Sequence, residues 1–178
     1  MIFQHTIDKV LNGEKTQTRR IVKPNHIVGR IPPNTPLEFM SVGQSWGDIV
    51  AVRSNVSYTD IYAIGKTYAV QRGRGVKAEG RIRIIDIRRE DVRNISETDA
   101  LAEGFSGHLD FLYTWIGMHD KGYLETFRYA VDMGRLYEHG FRERPAARYD
   151  AWVIEFMLVN AASRDDAQGE TAAGGGAR

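Results

Sequence analysis

Arg81-Ile82-Arg83-Ile84-Ile85-Asp86-Ile87 alternates polar and apolar side chains almost throughout and reads as a strong β-strand. Working back from it, Arg72-Gly73-Arg74-Gly75 is a Gly/Arg loop. Thr67 to Gln71 is a second strand, and Gly47-Asp48-Ile49-Val50-Ala51-Val52-Arg53 is a turn leading into a third. Thr16 to Lys23 leans towards β structure and stops at Pro24. Residues 31–36 form a Pro-rich loop, and 55–64 fit neither period. Ahead of these, Ile7, Val10 and Leu11 predict a short amphipathic helix, with Thr6 as its cap and Gly13 as its stop.

On the other side of the opening strand the period changes. Ser96-Glu97-Thr98-Asp99 resembles a capping box and starts a helix over 99–103, stopped by Gly104. Leu109, Phe111, Leu112, Trp115 and Ile116 have helical spacing, and a second helical stretch covers 124–137, bent near Gly134. Ala151 to Phe156 is a closing strand. Beyond Asn160 the chain turns to Ala, Gly, Ser and Asp, too poor in apolar surface to order itself. Short strands followed by a helical segment predict an α+β, mainly β fold: a small β-barrel decorated by short helices, with a helical insertion before the last strand. The expected domain is 1–160, its insertion about 108–145, and 161–178 a disordered tail. A doubly wound sheet is not expected, because the strands do not alternate with helices.

The 178 residues carry no cysteine, so disulfides, thiolate metal sites and cysteine nucleophiles are ruled out. The first residues lack the apolar core of a secretory signal, and no apolar run is long enough to span a membrane; the expected location is cytoplasmic. A net charge of +1 hides an asymmetry: through Arg93 there are 16 Lys+Arg against 9 Asp+Glu, and afterwards 8 against 14. That pattern predicts a one-sided electrostatic footprint, unless the two halves interleave on folding.

The positive side centres on Gly13-Glu14-Lys15-Thr16-Gln17-Thr18-Arg19-Arg20, with Lys23 and Arg30 beyond it and no acid until Glu38. Hydroxyls beside uncancelled cations suit an anionic or strongly polar ligand. Trp46 and Tyr58 or Tyr62 are candidate base-stacking aromatics, whereas Phe111 and Trp115 read as core. Other fragments fail as motifs. Gly65-Lys66-Thr67 lacks the first P-loop glycine and precedes a strand, Gly73-Arg74-Gly75 lies between strands, and Gly104-Phe105-Ser106-Gly107 lacks nucleophile-elbow spacing. The five histidines show no ligand spacing, so neither a metal nor a cofactor is expected.

Three segments together resemble the ASCH domain family of the PUA-like superfamily. They are Val10 to Arg19, Gly47 to Arg53, and Ile84 to Ile87 joined to Ile95 to Phe105; residues 151–156 resemble the family's last strand. The resemblance implies a PUA-type barrel with a cleft for RNA or a nucleoside. It also implies, for some members, amidohydrolysis of N4-acetylcytidine by a Lys, a Thr and a Glu, or a ribonuclease activity. By motif these are Lys15, Thr18 and Glu103. Judged by their chemistry, a threonine needs a base, and Lys15 serves only if partly neutral. On a straight strand Lys15 and Thr18 point to opposite faces, and they converge only if Lys15 lies in the turn before it. The structural alternative has Lys15 capping a helix and Glu103 pairing with Arg20 or Arg53.

The expected function is therefore RNA or modified-nucleoside binding in a basic cleft, with Lys15, Thr18 and Glu103 at its floor. Thr16, Arg19, Arg20, Lys23, Arg53, Arg72 and Arg74 are the candidate ligand-binding residues. A hydrolase of the two kinds above, or a non-catalytic protein-interaction module using the helical insertion, are the alternatives. Neither the sequence nor the resemblance fixes the oligomeric state.

Overall fold

The computed structural model describes residues 1–3, 6–35, 45, 47–135 and 140–159. The expected tail and the candidate stacking residue Trp46 lie outside the described residues. The strands are β1 (Gln17–Ile21), β2 (His26–Arg30), β3 (Ile49–Ser54), β4 (Asp60–Ala63), β5 (Thr67–Val70), β6 (Gly80–Asp91) and β7 (Asp150–Val159). The α-helices are α1 (Ile7–Leu11), α2 (Glu97–Ala102), α3 (His108–His119) and α4 (Leu124–Asp132).

These seven strands pair antiparallel, and Ile2 adds one parallel bridge to Gln71. One sheet has the order β1-β7-β6-β5 and the other β2-β3-β4. The turn after β4 knits them together: Gly65 N donates to Ile84 O at 2.8 Å, and Ile84 N donates to Lys66 O at 3.1 Å. The architecture is thus the expected mainly-β one with short helices, but among the described residues the strands do not close into a barrel. β1 and β5 are the edges of the larger sheet, and β2 and β4 those of the smaller.

Around Ala151 to Ile154 the larger sheet is covered on both faces, which explains why all four are buried. Its inner face meets α1 and the smaller sheet. Phe3, Ile7, Val10, Val70, Ile82 and Phe156 pack together there, beside Val52, Ile84, Ile87, Trp152 and Ile154. Its outer face carries α2 to α4 over Val92, Phe111, Trp115, Phe127, Phe141, Tyr149 and Ala151. Each fully buried large side chain here contributes about 2 kcal/mol.

A bulge decides which residues face which way. Ile84 lies opposite Phe156 but Asp86 lies opposite Glu155, so Ile85 is the extra residue. Before it, Ile82 and Ile84 point inward; after it, Ile87 does. Asp86, Arg88 and Glu90 are thereby turned outward, beneath α2.

The helix signals hold with adjustments. Ser96 Oγ accepts from Asp99 N at 3.0 Å and starts α2, and Gly104, at φ +84°, ends it. Thr6 makes no side-chain cap for α1. The second insertion helix stops at Asp132, with Gly134 at φ +65°. A latch fastens this insertion to the sheet. Buried Asp120 accepts from Arg144 Nε and Nη2, both at 2.7 Å, from Tyr149 Oη at 3.0 Å, and from Arg148 Nη1.

Candidate functional site

Lys15 lies just before β1 and is bonded to both neighbouring elements. Its backbone N donates to Lys9 O at 2.9 Å, and Thr16 N donates to Ala102 O at 2.9 Å. Those bonds set Lys15 against the end of α2, where Glu103 is the C-terminal cap residue. Lys15 Nζ donates to Glu103 Oε2 at 2.7 Å and also to the Glu103 carbonyl. The two side chains are 2% and 3% exposed.

The pair does not stand alone. Arg19 Nη1 reaches Glu103 Oε1 at 3.3 Å and Gln17 Oε1 at 2.8 Å, while its Nη2 reaches Glu90 Oε2 at 3.0 Å and Asp99 Oδ2 at 3.2 Å. Gln17 Nε2 donates to Asp99 Oδ1 at 3.1 Å and Glu155 Oε1 at 3.0 Å. Arg88 closes the network, donating to Glu155 and to Asp99 at 3.2 Å. The Arg19 guanidinium also lies over the Phe111 ring, 5.6 Å from its centre. Its Nε is buried without a partner among the described residues.

Burial pushes the Lys15 amine below its ordinary 10.5; Glu103 opposes the shift, and the Arg20 and Arg19 guanidiniums add to it. Burial works to raise Asp99, but the Gln17 amide, Arg19 and Arg88 outweigh it, and the net shift is downward. The result is a carboxylate-rich bed holding three cations.

The structure therefore places the sequence candidates in three groups. Lys15 and Glu103 meet, so Glu103 pairs with Lys15 and Arg19 rather than with Arg20 or Arg53. Arg19, expected to attract a ligand, is buried and paired with three carboxylates, two of them, Asp99 and Glu103, from the acidic half of the chain. Lys15 and Arg19, which looked uncancelled in sequence, are cancelled in space. Thr18 and Arg20 occupy the opposite face of β1. Thr18 is buried, and no hydrogen bond joins its hydroxyl to Lys15 or Glu103 among the described residues. Arg20 donates to Ile2 O at 2.7 Å and stacks 5.7 Å from the Phe3 ring centre.

The third group is scattered over the surface. Thr16, Lys23 and Arg74 are exposed. Arg53 is paired with Asp60 at 2.8 Å, and Arg72 with Asp8 at 2.7 Å and Glu79 at 3.0 Å. Of the tyrosines considered for stacking, Tyr58 is exposed in a left-handed turn at φ +55°, while Tyr62 packs against the core. Sequence reasoning missed Gln17, Arg88, Glu90, Asp99 and Glu155 as partners of the site. The one available signal was Glu155, a lone carboxylate in an otherwise apolar closing strand.

No protein-family model matches the chain, nor does any curated protein. Two solved structures are similar to it. One, from Enterococcus faecalis V583 and described as DUF984, is 16% identical with a TM-score of 0.41, over 88% of this chain and 71% of that one. The other is an ASCH domain from Lactobacillus crispatus JV V101, 14% identical with a TM-score of 0.40, over 85% of this chain and 69% of that one. Among the described residues no helix is long and apolar enough to cross a membrane.

Proposed function

We propose that the Lys15–Glu103 pair is the floor of a binding site for a nucleoside or modified nucleoside, free or within RNA. The observation that carries this reading is a lysine and a glutamate, both almost wholly buried, joined at 2.7 Å beside the unpaired edge of β1. A buried pair of this kind, its lysine pushed below the ordinary value by burial, marks a functional-site candidate better than a surface ion pair does. Amine and carboxylate side by side present a donor next to an acceptor. That pattern complements the edge of cytosine, whose N4 amino group donates to a carboxylate while its ring acceptors take an N–H. The buried network under Glu103 holds the carboxylate in place, so little ordering is left for the ligand to impose. Phosphate attraction falls to exposed cations rather than to Arg19.

Calorimetric titration with cytidine and N4-acetylcytidine tests the reading. Binding by the wild type that weakens at least tenfold in Glu103→Gln is expected; equal binding by both proteins refutes it.

The lowered Lys15 pKa favours a second reading, hydrolysis of an N4-acyl group. A partly neutral lysine can take a proton from the nucleophile, either the Thr18 hydroxyl or a water, and Glu103 can carry one to the leaving amine. The missing Thr18–Lys15 hydrogen bond keeps this reading second. Acetate release from N4-acetylcytidine that rises with pH and disappears in Thr18→Ala would promote it, and absence of release from that nucleoside, free or within RNA, would remove it.

A further inference from the structure

The bulge at Ile85 divides the outer face of the large sheet into two unlike halves. Beyond it, Arg88 is locked among carboxylates beneath α2. Before it, Arg81 and Arg83 stand on an uncovered face, both exposed. Arg83 lies between Thr67 and Met157 across the strands, and Arg81 between Ala69 and Val159. Neither arginine is paired with a carboxylate among the described residues; Arg81 Nη2 reaches only the Thr67 hydroxyl, at 3.2 Å. Ile85 and Met157, half-exposed at 50% and 52%, interrupt the positive charge with apolar surface.

This face adjoins the Lys15–Glu103 pair. Phe156 N donates to Thr16 O at 2.9 Å, so the next residue along β7, Met157, is level with Lys15. Arg83 is Met157's partner on the other side. A line from Arg83 across Met157 thus ends at the candidate site.

We propose that Arg81, Arg83, Ile85 and Met157 form a docking face for single-stranded RNA, leading one nucleotide to Lys15 and Glu103; this rests on the nucleoside reading of that pair. Charge complementarity selects the occupant. Two guanidiniums without carboxylate partners among the described residues take backbone phosphates, and the apolar surface of Ile85 and Met157 beside Arg83 receives unstacked base faces. Duplex RNA offers no such free base faces.

The test is the affinity of a short fluorescein-labelled oligocytidylate over a series of salt concentrations. It compares the wild type, the double variant Arg81→Ala/Arg83→Ala, and Arg128→Ala on α4 as a remote control. The double variant is expected to bind at least tenfold more weakly, with the slope of log affinity against log salt flattened by about 1.4, at about 0.7 per phosphate contact. Arg128→Ala should change neither. Wild-type affinity and slope in the double variant overturn the proposal, as does an equal loss in the control. Cytidine binding separates the two claims. If RNA affinity falls in the double variant while no protein binds cytidine, the docking face stands and the nucleoside reading fails. If cytidine binding is intact while RNA affinity is unaltered in the double variant, the nucleoside reading stands and the docking face fails.

Discussion

Replacing Lys15 with methionine isolates the energetics of the buried pair. The substitution removes both bonds from Nζ to Glu103 and leaves the carboxylate with Arg19 Nη1 at 3.3 Å as its remaining ionic partner. Taking one member from a buried ion pair costs about 3–5 kcal/mol, because the other charge is stranded away from water. The residual Arg19 contact sets the expectation at the lower end, about 3 kcal/mol. For a domain of this size that is a fall in Tm of roughly 6–12 °C. Urea unfolding measures it as a drop in midpoint at unchanged slope. The double variant Lys15→Met/Glu103→Leu should be more stable than Lys15→Met alone, since an apolar pair of similar volume leaves no buried charge. The reciprocal variant Glu103→Gln adds a pH signature. It strands the lysine, whose folded-state pKa is already below 10.5. Its stability deficit should therefore shrink as pH rises towards 10.5, where the unfolded chain also gives up that proton. A Lys15→Met protein within about 0.5 kcal/mol of the wild type, the range of ordinary surface substitutions, would show the pair to be solvated. So would a Glu103→Gln deficit independent of pH.

Asp120→Asn should cost about 2 kcal/mol at neutral pH. Arg144 chiefly, then Tyr149 and Arg148, hold its carboxyl at about 2 against an ordinary 3.8, and burial only partly opposes them. This stability is lost as pH falls through that window, so chemical unfolding of the wild type between about pH 4 and 2 should show a limb that the variant lacks. His26 Nδ1 accepts from Trp152 Nε1 at 3.0 Å and from Lys23 N at 3.3 Å, and burial, aided by Lys23, lowers its pKa below 6.5. The unfolded chain is protonated first, so wild-type stability should fall below pH 6.5 more steeply than that of His26→Asn, compared by urea midpoints across pH. Gly104→Ala forces a side chain to φ +84° with Lys9 Cδ 3.0 Å from the new methyl group, and a loss of about 1–2 kcal/mol is expected in urea unfolding.

The helices of the insertion were legible because Phe111, Leu112, Trp115 and Ile116 repeat at 3.6 residues, and the same residues fill the outer core. The strand over 81–87 was legible too, but not the bulge inside it. Adjacent Ile84 and Ile85 look alike in sequence, and only pairing with β7 shows that one is buried and the other exposed. β2 escaped notice because five residues between Pro24 and Pro32, one of them glycine, carry too little alternation. β4 lay in the segment that fits neither period.

The site was half legible. Lys15 and Glu103, 88 residues apart, came together only through the family resemblance, since no local pattern links a turn to the end of a distant helix. The basic character of Gly13 to Arg20 was misleading for a physical reason. Charges in sequence say nothing of the carboxylates that folding brings from Glu90, Asp99, Glu103 and Glu155, so the basic and acidic halves interleave at this site.

Whether Lys15 and Glu103 hold a nucleoside is decided by NMR of the lysine ε-methylene carbons during a cytidine titration. The buried Lys15 signal is expected to move saturably and before those of surface lysines, and to stay fixed when guanosine replaces cytidine. A Lys15 signal unmoved by cytidine, while surface lysines shift or nothing does, would contradict the nucleoside reading.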